Sequence, residues 1–496
     1  MAEGSHPFPF RTRKLSPPAP MVLSLARGWE SRSLPGFFYL CIIETMKRRK
    51  RENRKVLLFS YFISLILIGS FLLSIPEAWN GDGNLKYIDA LFTSTSAVCV
   101  TGLITVQTAD YSFFGKLVIL LLIQFGGLGI ISFTTLFIAI PSRRLSLSSR
   151  QNVQEYYLGS LETDPLRIIK QIVIMTLIFE MLGFLFLLKP FSNYNGESVI
   201  FNAVFHSVSA FCNAGFSLFR DSLVHYRDSL RVNITVMLLI IFGGLGFLVI
   251  RDILERITGK KKSLMIHTRI VLIMTVILIF VGASLYYIFE IRNSIASYGN
   301  GEKIIASFFQ AVTTRTAGFN TIEQNNLSIP SKVITLLLMF IGGGSGSIAG
   351  GIKVTTFFLV ILTAIHETDS KNEIAIFNRK IPSKTLTRAM SFTLKAIMIL
   401  FTSILFLTIT EHIHVGAFSG KVPQKSFLSI VFESFSAFGT VGLSMGITPY
   451  LTRLGKVVII LTMFAGRVGL ISIAMPKFKK YSEHLVDYPK GEVLIG

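Results

Sequence analysis

Four stretches of the sequence share a spacing that could gather backbone oxygens around one cation. Each begins with Phe and has a Gly ten residues later, which is followed by Leu or Phe. Glycine allows backbone angles that are denied to other residues, so neighbouring carbonyls can turn towards a common point and replace the hydration shell of an ion. The stretches are FTSTSAVCVTGL (92–103), FHSVSAFCNAGF (205–216), FFQAVTTRTAGF (308–319) and FESFSAFGTVGL (432–443).

The ligand expected at such a site is a monovalent cation. Carbonyl oxygens are neutral, and they can hold an ion loosely enough for it to leave again. A divalent ion would favour carboxylates, and no acidic residue shares the column of the four glycines. A single glycine of this kind indicates close helix packing just as readily, but four aligned ones favour a shared site.

The elements that position these stretches are expected to lie in a membrane. The 496 residues are 51% apolar, contain 43 Phe and have a mean hydropathy of +0.59. Apolar runs of about twenty residues recur, which is the length that crosses the hydrocarbon core of a bilayer. Three Cys without a metal-binding spacing give neither a disulfide framework nor a zinc site. The predicted spans are 56–75, 117–140, 168–188, 232–250, 270–289, 333–365, 389–409 and 457–475.

These stretches and spans together form an internal repeat. Each stretch lies between two spans, and the second span of each pair carries another glycine cluster: QFGGLG (124–129), IFGGLG (241–246), FIGGGSG (340–346) or FAGRVG (464–469). We therefore predict an all-α polytopic membrane protein with four span–pore-helix–span repeats around a pseudo-four-fold pore. Its elements are eight transmembrane spans and four re-entrant pore helices, the latter at about 89–98, 202–211, 305–314 and 429–438.

The predicted repeats cover 46–145, 146–258, 259–368 and 369–476, and a cytoplasmic tail follows at 477–496. Residues 1–45 differ in composition, with a disorder-prone SPPAP stretch, and we expect a disordered extension or a start codon assigned too early. Lys and Arg are denser in the loops on the side of both termini, which places the termini in the cytoplasm and explains most of the net charge of +21.

The repeat resembles a known family at three stretches that overlap those above. They are RTAGFNT (315–321), AFGTVGLSMG (437–446) and AGRVG (465–469). Together with the four-fold repeat, they resemble the TrkH/KtrB superfamily of potassium transporters over about 50–476, and eight spans resemble its KtrB-like membrane subunits. The resemblance implies potassium uptake through a channel-like pore in the bacterial cell (inner) membrane. It also implies sodium activation, a homodimer, and a cytoplasmic RCK-type (KtrA-like) ring that binds the regulatory nucleotide, while this chain binds no cofactor.

Carried over from the family, the ion selectivity filter holds K+ at carbonyls of four residues in each repeat. These residues are Val100, Thr101, Gly102 and Leu103; Asn213, Ala214, Gly215 and Phe216; Thr316, Ala317, Gly318 and Phe319; and Thr440, Val441, Gly442 and Leu443.

The stretch IGGGSGSIAGGIKV (341–354) interrupts an apolar run in the third repeat. It fits G-x-G-x-x-A, but a phosphate-binding loop would follow a strand of a βαβ unit, and no such unit is indicated. Glycine weakens helix interiors, so we predict a loop under the filter that acts as the gate. The resemblance implies that Arg467 contacts it. The predicted gate comprises Gly342, Gly343, Gly344, Ser345, Gly346, Ser347, Gly350, Gly351 and Arg467.

Other polar residues are assigned structural roles. Arg315 is expected to point behind the pore helices and pair with a carboxylate such as that of Glu433. Cys99, Cys212 and His206 are expected to pack within the pore helices, and Glu180 has no evident partner in the sequence. The Lys260–Lys262 cluster is interpreted as positive-inside charge, with lipid or partner docking as the alternative.

Two other function classes were weighed. An enzyme would need a cluster of catalytic side chains, and HET (366–368) and EHIH (411–414) lie on opposite sides of the predicted membrane. A proton- or sodium-coupled cation symporter with low K/Na selectivity is the closer alternative. Such carriers usually combine inverted repeats, whereas these four copies share one orientation, which favours a channel-like path.

Overall fold

The computed structural model describes residues 58–139, 165–192, 198–365, 374–377, 379–412 and 426–469. The extension at 1–45 and the tail at 477–496 therefore lie outside the described residues. By internal contacts the chain divides into Met1–Phe59 and Ser60–Gly496, and of the first unit only Leu58 and Phe59 are described.

Within the described residues the fold is almost entirely helical. In the first half of the chain the helices are α1 (Leu58–Ser74), α2 (Tyr87–Val98), α3 (Phe113–Ala139), α4 (Pro165–Phe191), α5 (Val199–Phe211), α6 (Leu230–Leu245) and α7 (Phe247–Ile257). In the second half they are α8 (Ile266–Glu290), α9 (Asn300–Thr313), α10 (Ile329–Phe340), α11 (Val354–Ile365), α12 (Ser383–His412), α13 (Phe427–Gly439) and α14 (Arg453–Phe464). A π-helical segment, Ala465–Gly469, continues α14.

A small antiparallel hairpin is the β-structure among these residues. Its strands, β1 (Ile374–Ile376) and β2 (Arg379–Ile381), pair with Ile374 opposite Ile381. Ile374 and Ile381 are buried with Leu386 of α12, so the hairpin covers the start of that helix. This hairpin was not predicted from the sequence.

Several helices have the length and composition of membrane spans. Among the described residues three qualify alone, namely Arg167–Phe191, Ile266–Glu290 and Ser383–Glu411, and α6 with α7 qualifies as a bent pair. Their outward faces carry exposed apolar side chains such as Leu177, Phe280 and Phe401, a pattern that suits lipid contact. The count of eight spans stays a prediction.

The four short helices α2, α5, α9 and α13 occupy the positions predicted for the pore helices. Each ends within one residue of the predicted end. After each comes an irregular segment, then a single 3-10 turn, then the next long helix. The turns are Thr108–Asp110, Val224–Tyr226, Gln324–Asn326 and Thr448–Tyr450.

The helix after each turn begins with the same capping device. A Ser or Thr hydroxyl accepts a hydrogen bond from a backbone N–H in the first helical turn, which satisfies a donor that would otherwise lack a partner. The four capping residues are Ser112, Ser229, Ser328 and Thr452. The same start is thus built four times from different sequences.

Candidate functional site

The segments after the four short helices share an unusual backbone. In each segment, two residues separated by a single residue have positive φ. The first is not a glycine, and the second is the Gly that lies ten residues after the Phe. Residues of positive φ alternating with ordinary ones rotate successive peptide planes, so that carbonyls can point to the same side. The pairs are Val100 and Gly102, Asn213 and Gly215, Thr316 and Gly318, and Thr440 and Gly442.

The four glycines close into a ring, here called the glycine ring (Gly102, Gly215, Gly318 and Gly442). A Cβ added to Gly102 would lie 3.0 Å from the Cα of Gly215, and one on Gly215 would lie 3.0 Å from the Cα of Gly318. A Cβ on Gly318 would lie 3.2 Å from the Cα of Gly442, and one on Gly442 would lie 3.0 Å from the Cα of Gly102. The structure therefore brings together the four predicted filter segments, and no side chain fits at any of the four positions.

Each ring segment is fixed to the short helix that precedes it. The side chains of the four segments are buried, and one hydroxyl from each helix bonds to the segment backbone. Ser96 and Ser436 accept from the N–H of Gly102 and Gly442, both at 3.1 Å, while Ser209 and Thr313 donate to the carbonyls of Phe216 and Phe319 at 2.8 and 2.7 Å. The ring is consequently held from behind on all four sides.

A second layer of polar contacts ties each short helix to the chain beyond the ring. His206 Nε2 lies 2.9 Å from Ser217 Oγ, and its ring stacks on Phe219 at 4.5 Å, as expected for a packed residue with a local hydrogen bond. At the equivalent position of α13, the buried Glu433 accepts hydrogen bonds from the hydroxyls of Ser444 and Thr448.

The predicted pairing of Arg315 with Glu433 is wrong. Arg315 does point behind the ring, but its Nη2 donates to Thr275 Oγ1 of α8 at 3.3 Å, and its Nε has no partner among the described residues. The reason is geometric: Arg315 follows the end of α9 and faces the long helix of its own repeat, whereas two hydroxyls already serve the Glu433 carboxyl.

Glu180 has a partner that the sequence did not reveal. Gln124 Nε2 donates to Glu180 Oε2 at 3.1 Å, although the two residues lie on different long helices, α3 and α4. Cys212 Sγ lies 3.6 Å from Gln124 Oε1. Cys99 and Cys212 are both buried free thiols, which agrees with the predicted packing role.

The predicted break in the third repeat is present. The residues between α10 and α11, 341–353, form a buried irregular segment that is here called the glycine loop. Its two arms pair with each other, since Gly342 N–H donates to the Ile352 carbonyl at 2.8 Å and Ile352 N–H to the Phe340 carbonyl at 3.1 Å. A positive φ at Gly346 and Gly351 turns the chain at the tip and on the return.

The glycine loop reaches all of the other three repeats. It is closest to the second, where Gly344 N–H donates to the Gly244 carbonyl at 2.8 Å. A Cβ on Gly350 would lie 3.0 Å from Thr440 Cβ in the fourth, and one on Gly127 in the first would lie 3.6 Å from Ile348. The loop thus packs directly against the ring segment that contains Thr440.

Two basic side chains donate hydrogen bonds to the glycine loop. Arg467, in the π-helical segment after α14, is buried and donates through Nη1 to the Ile348 carbonyl; its Nε and Nη2 have no hydrogen-bond partner among the described residues. Lys353, which was not among the predicted gate residues, donates to the Ala349 carbonyl at 2.6 Å. Lys353 is the one charged residue of the stretch IGGGSGSIAGGIKV, and a lone charge in an apolar stretch could have marked it as a functional candidate.

The first and last parts of the described chain meet in a buried ion pair. Lys456 Nζ of α14 lies 2.6 Å from Asp89 Oδ1 in the first turn of α2. Both side chains are nearly inaccessible to solvent. This ion pair joins the helix after the fourth short helix to the first short helix. Neither residue was predicted from the sequence to have a role.

Side-chain metal ligands are not gathered anywhere in the described part of the chain, which contains no cluster of three or more His, Cys, Asp or Glu. At the glycine ring the polar groups of the four segments that could face a cation include their main-chain carbonyls. Neutral oxygens in a dry, fixed ring suit an ion that binds and then departs.

Comparison with known proteins gives a consistent result. Residues 36–488 match the family TrkH, described as cation transport protein. The chain is 38% identical to Ktr system potassium uptake protein B of Bacillus subtilis over 446 residues, covering 89% of this chain and 96% of that protein. It is 36% identical to the potassium/sodium uptake protein NtpJ of Enterococcus hirae, covering 90% and 98%.

A solved structure supports the fold. The crystal structure of the potassium transporter TrkH from Vibrio parahaemolyticus superposes with a TM-score of 0.64 at 18% sequence identity, covering 86% of this chain and 84% of that one. At that identity the likeness concerns the fold.

Proposed function

The chain belongs to the TrkH family of cation transport proteins, and from this membership and the glycine ring we propose that it takes up potassium across the cell membrane through a channel-like pathway. The observation that carries the proposal is the closed ring of four glycines, each flanked by a second residue of positive φ. The choice of ion is supported by relatives that are named for potassium uptake and that match this chain over nearly their whole length.

In this proposal the chain is four repeats, 46–145, 146–258, 259–368 and 369–476, around one pore, with eight spans and four re-entrant helices. Support comes from the equivalent short helices, 3-10 turns and hydroxyl caps described above. The C-terminal ends of the short helices run into the ring segments. Their partial negative charge would stabilise a cation there.

The ring segments are proposed to be the selectivity filter, with K+ at their carbonyls. The glycine loop with Arg467 is proposed to be the gate. It is supported by the loop's contact with Thr440 and by the guanidinium bonded to Ile348. A fixed positive charge below a cation site opposes the passage of the ion until the loop moves.

The proposed setting is a bacterial inner membrane, with both termini in the cytoplasm. Relatives named as parts of a Ktr system support a regulatory partner, for which we propose an RCK-type, nucleotide-binding ring on a homodimer of this chain. Sodium activation is proposed as well. The relative named for potassium and sodium uptake keeps a cation symporter of low selectivity as the second candidate.

The test is growth of a potassium-uptake-deficient bacterium at low potassium, combined with flux through purified protein in liposomes. Wild type should restore growth and Gly318→Ser should not, because its side chain would meet Gly442 and Val441. Gly83→Ser is the matched control, since Gly83 also has positive φ, at +70°, but has open space around it.

Each outcome separates the candidates. Flux down a potassium gradient without a proton or sodium gradient supports the channel-like path, whereas a strict requirement for either gradient supports the symporter. Absence of rescue by wild type, or rescue by Gly318→Ser equal to that by Gly83→Ser, would refute the proposed site.

A further inference from the structure

Helix α7 leaves its span at a steep angle. It follows α6 after a single residue, Gly246, and the two helix axes differ by 98°. The 16 residues of α6 cover about 24 Å, which is most of the roughly 30 Å of hydrocarbon that a span must cross. A helix that turns through a right angle at that depth runs along the membrane plane rather than through it.

The surface of α7 changes along its length. Residues 247–250 are buried, whereas Leu254 is 51% and Ile257 75% exposed. Arg256 of α7 is exposed as well, and so are Lys260 and Lys262, which follow shortly after its end. Exposed apolar residues next to Lys and Arg on a helix in the membrane plane are the pattern of an interfacial helix.

The acidic residues near this surface are already neutralised. Glu255 accepts from Arg251 at 2.8 Å and from Lys261 at 2.7 Å, and Lys261 also lies 3.0 Å from Asp252. The remaining exposed charge is therefore positive, which is complementary to anionic lipid headgroups.

The same ion-pair cluster links α7 to the start of α8. The second carboxylate oxygen of Asp252 accepts a hydrogen bond from the N–H of Met265 at 2.9 Å, immediately before α8 begins. Lys261 beyond the exposed end of α7 and the residue before α8 are thus bonded to the same carboxylate.

The buried end of α7 holds the glycine loop. Besides the bond from Gly344 to Gly244, the N–H of Ile348 donates to the Gly243 carbonyl, and the N–H of Phe247 donates to the Gly346 carbonyl, both at 3.3 Å. Gly246 itself has φ +93°, and a Cβ there would lie 3.0 Å from backbone atoms of Ser345, Gly346 and Ser347. Residues 243–247 thus form a main-chain clamp on the loop.

We propose that α7 docks on the anionic headgroups of the cytoplasmic leaflet, and that docking keeps this clamp closed on the glycine loop. The proposal rests on the proposed function, in which the loop is the gate. Since the described conformation combines an in-plane α7 with a bonded loop, whatever stabilises the first also favours the second. Loss of docking therefore releases the loop and raises flux.

The test is potassium flux through the purified full chain in two kinds of liposome, phosphatidylcholine alone and phosphatidylcholine with phosphatidylglycerol. We expect flux about tenfold lower with the anionic lipid, from three basic residues near a charged surface. The triple variant Arg256→Gln/Lys260→Gln/Lys262→Gln should give high flux in both. The control, Lys86→Gln/Arg231→Gln/Arg292→Gln, removes exposed charges elsewhere and should behave as wild type.

The clamp is tested separately with two glycines of positive φ. Gly246→Ala should raise flux in both liposomes, because its Cβ meets the loop backbone, whereas Gly259→Ala should not, because nothing lies within 4 Å of that position. Gel filtration checks that each variant is folded.

The possible failures differ. Absence of wild-type flux in both lipids contradicts the proposed function itself. Wild-type flux that is equal in both lipids overturns docking on lipid and assigns the face of α7 to a protein partner. Equal behaviour of Gly246→Ala and Gly259→Ala overturns the clamp.

Discussion

The glycine ring and the glycine loop are both built from glycine, yet they are organised in opposite ways. The ring consists of four similar segments, each bonded through a hydroxyl to its own short helix. The loop occurs in one repeat and is held by main-chain bonds to a neighbouring repeat and by Arg467. In both regions glycine leaves no room for a side chain, so the two differ in how they are held and not in why they need glycine.

This difference separates two tasks within one transporter. A ring that is fixed on every side can keep its carbonyls at constant distances, which is what discrimination among ions requires. A loop held to the other repeats by a few main-chain bonds and one guanidinium can be released from them while the ring keeps its own hydroxyl bonds. Substitutions in the two regions should therefore change flux in opposite directions.

The largest effect is expected in the ring. Gly442→Ala should abolish potassium uptake, because its Cβ would lie 3.0 Å from the Cα of Gly102. Gly446→Ala is the control from the same repeat, with φ +85° but no atom within 4 Å, and it carries only backbone strain of about 1–3 kcal/mol. Uptake rates in the potassium-uptake-deficient bacterium measure both. Similar rates for the two variants would show that the ring contact is unimportant.

Deleting residues 343–350 should have the next largest effect, with the opposite sign. Without the loop the pathway under the ring stays open, and flux in liposomes should rise by about tenfold or more if the loop is held shut by at least ~1.4 kcal/mol. Flux should also stop responding to the proposed regulatory ring. Unchanged gating would remove the loop from the proposed mechanism.

A smaller increase is expected for Arg467→Ala, which removes one hydrogen bond to the loop and leaves the clamp from residues 243–247. A charged hydrogen bond contributes about 1.5–3 kcal/mol, which shifts the equilibrium of the loop by about tenfold or more, but flux should rise less than in the deletion because the clamp still holds the loop. Arg453→Ala, an exposed residue at the start of the same helix, is the control. If flux and selectivity match wild type, Arg467 has no part in the gate.

The smallest change in flux is expected at the ion pair between α14 and α2, which lies outside both the glycine ring and the glycine loop. Asp89→Asn leaves Lys456 buried without its charge partner, and losing one member of a buried pair costs about 3–5 kcal/mol. Asp110→Asn breaks the pair with Arg220, whose side chain is 76% exposed, and such pairs contribute about 0–1 kcal/mol. Thermal unfolding in detergent should show a clearly lower Tm for the first alone. Equal Tm values would mean that the buried pair does not stabilise the fold.

Two copies of one local sequence show what could not be predicted from sequence. FGGLG occurs at 125–129 and at 242–246. In the first copy α3 continues through the glycines, whereas in the second α6 ends at Leu245 and the chain turns by 98°. The predicted span 232–250 therefore breaks at Gly246. The cause is tertiary, because the glycine loop lies against Gly246, and a window of residues does not contain that contact.

The features predicted correctly depended on local patterns. The ends of the four short helices followed from the repeated Phe-to-Gly spacing, and the interruption of 333–365 followed from its density of glycine. The partners of Arg315, Glu180 and Lys456 are distant in sequence. No periodicity records such pairings, since they depend on how complete helices pack.

The contact of one loop with three other repeats has a consequence for how such a molecule can be assembled. Ile348 and Gly350 approach the first and fourth repeats while the second holds Gly344. Four identical subunits would each bring the same loop to the same place on the axis, where there is room for one. A single such loop among four similar units therefore requires units that are no longer equivalent, and joining the four in one polypeptide allows one of them to differ.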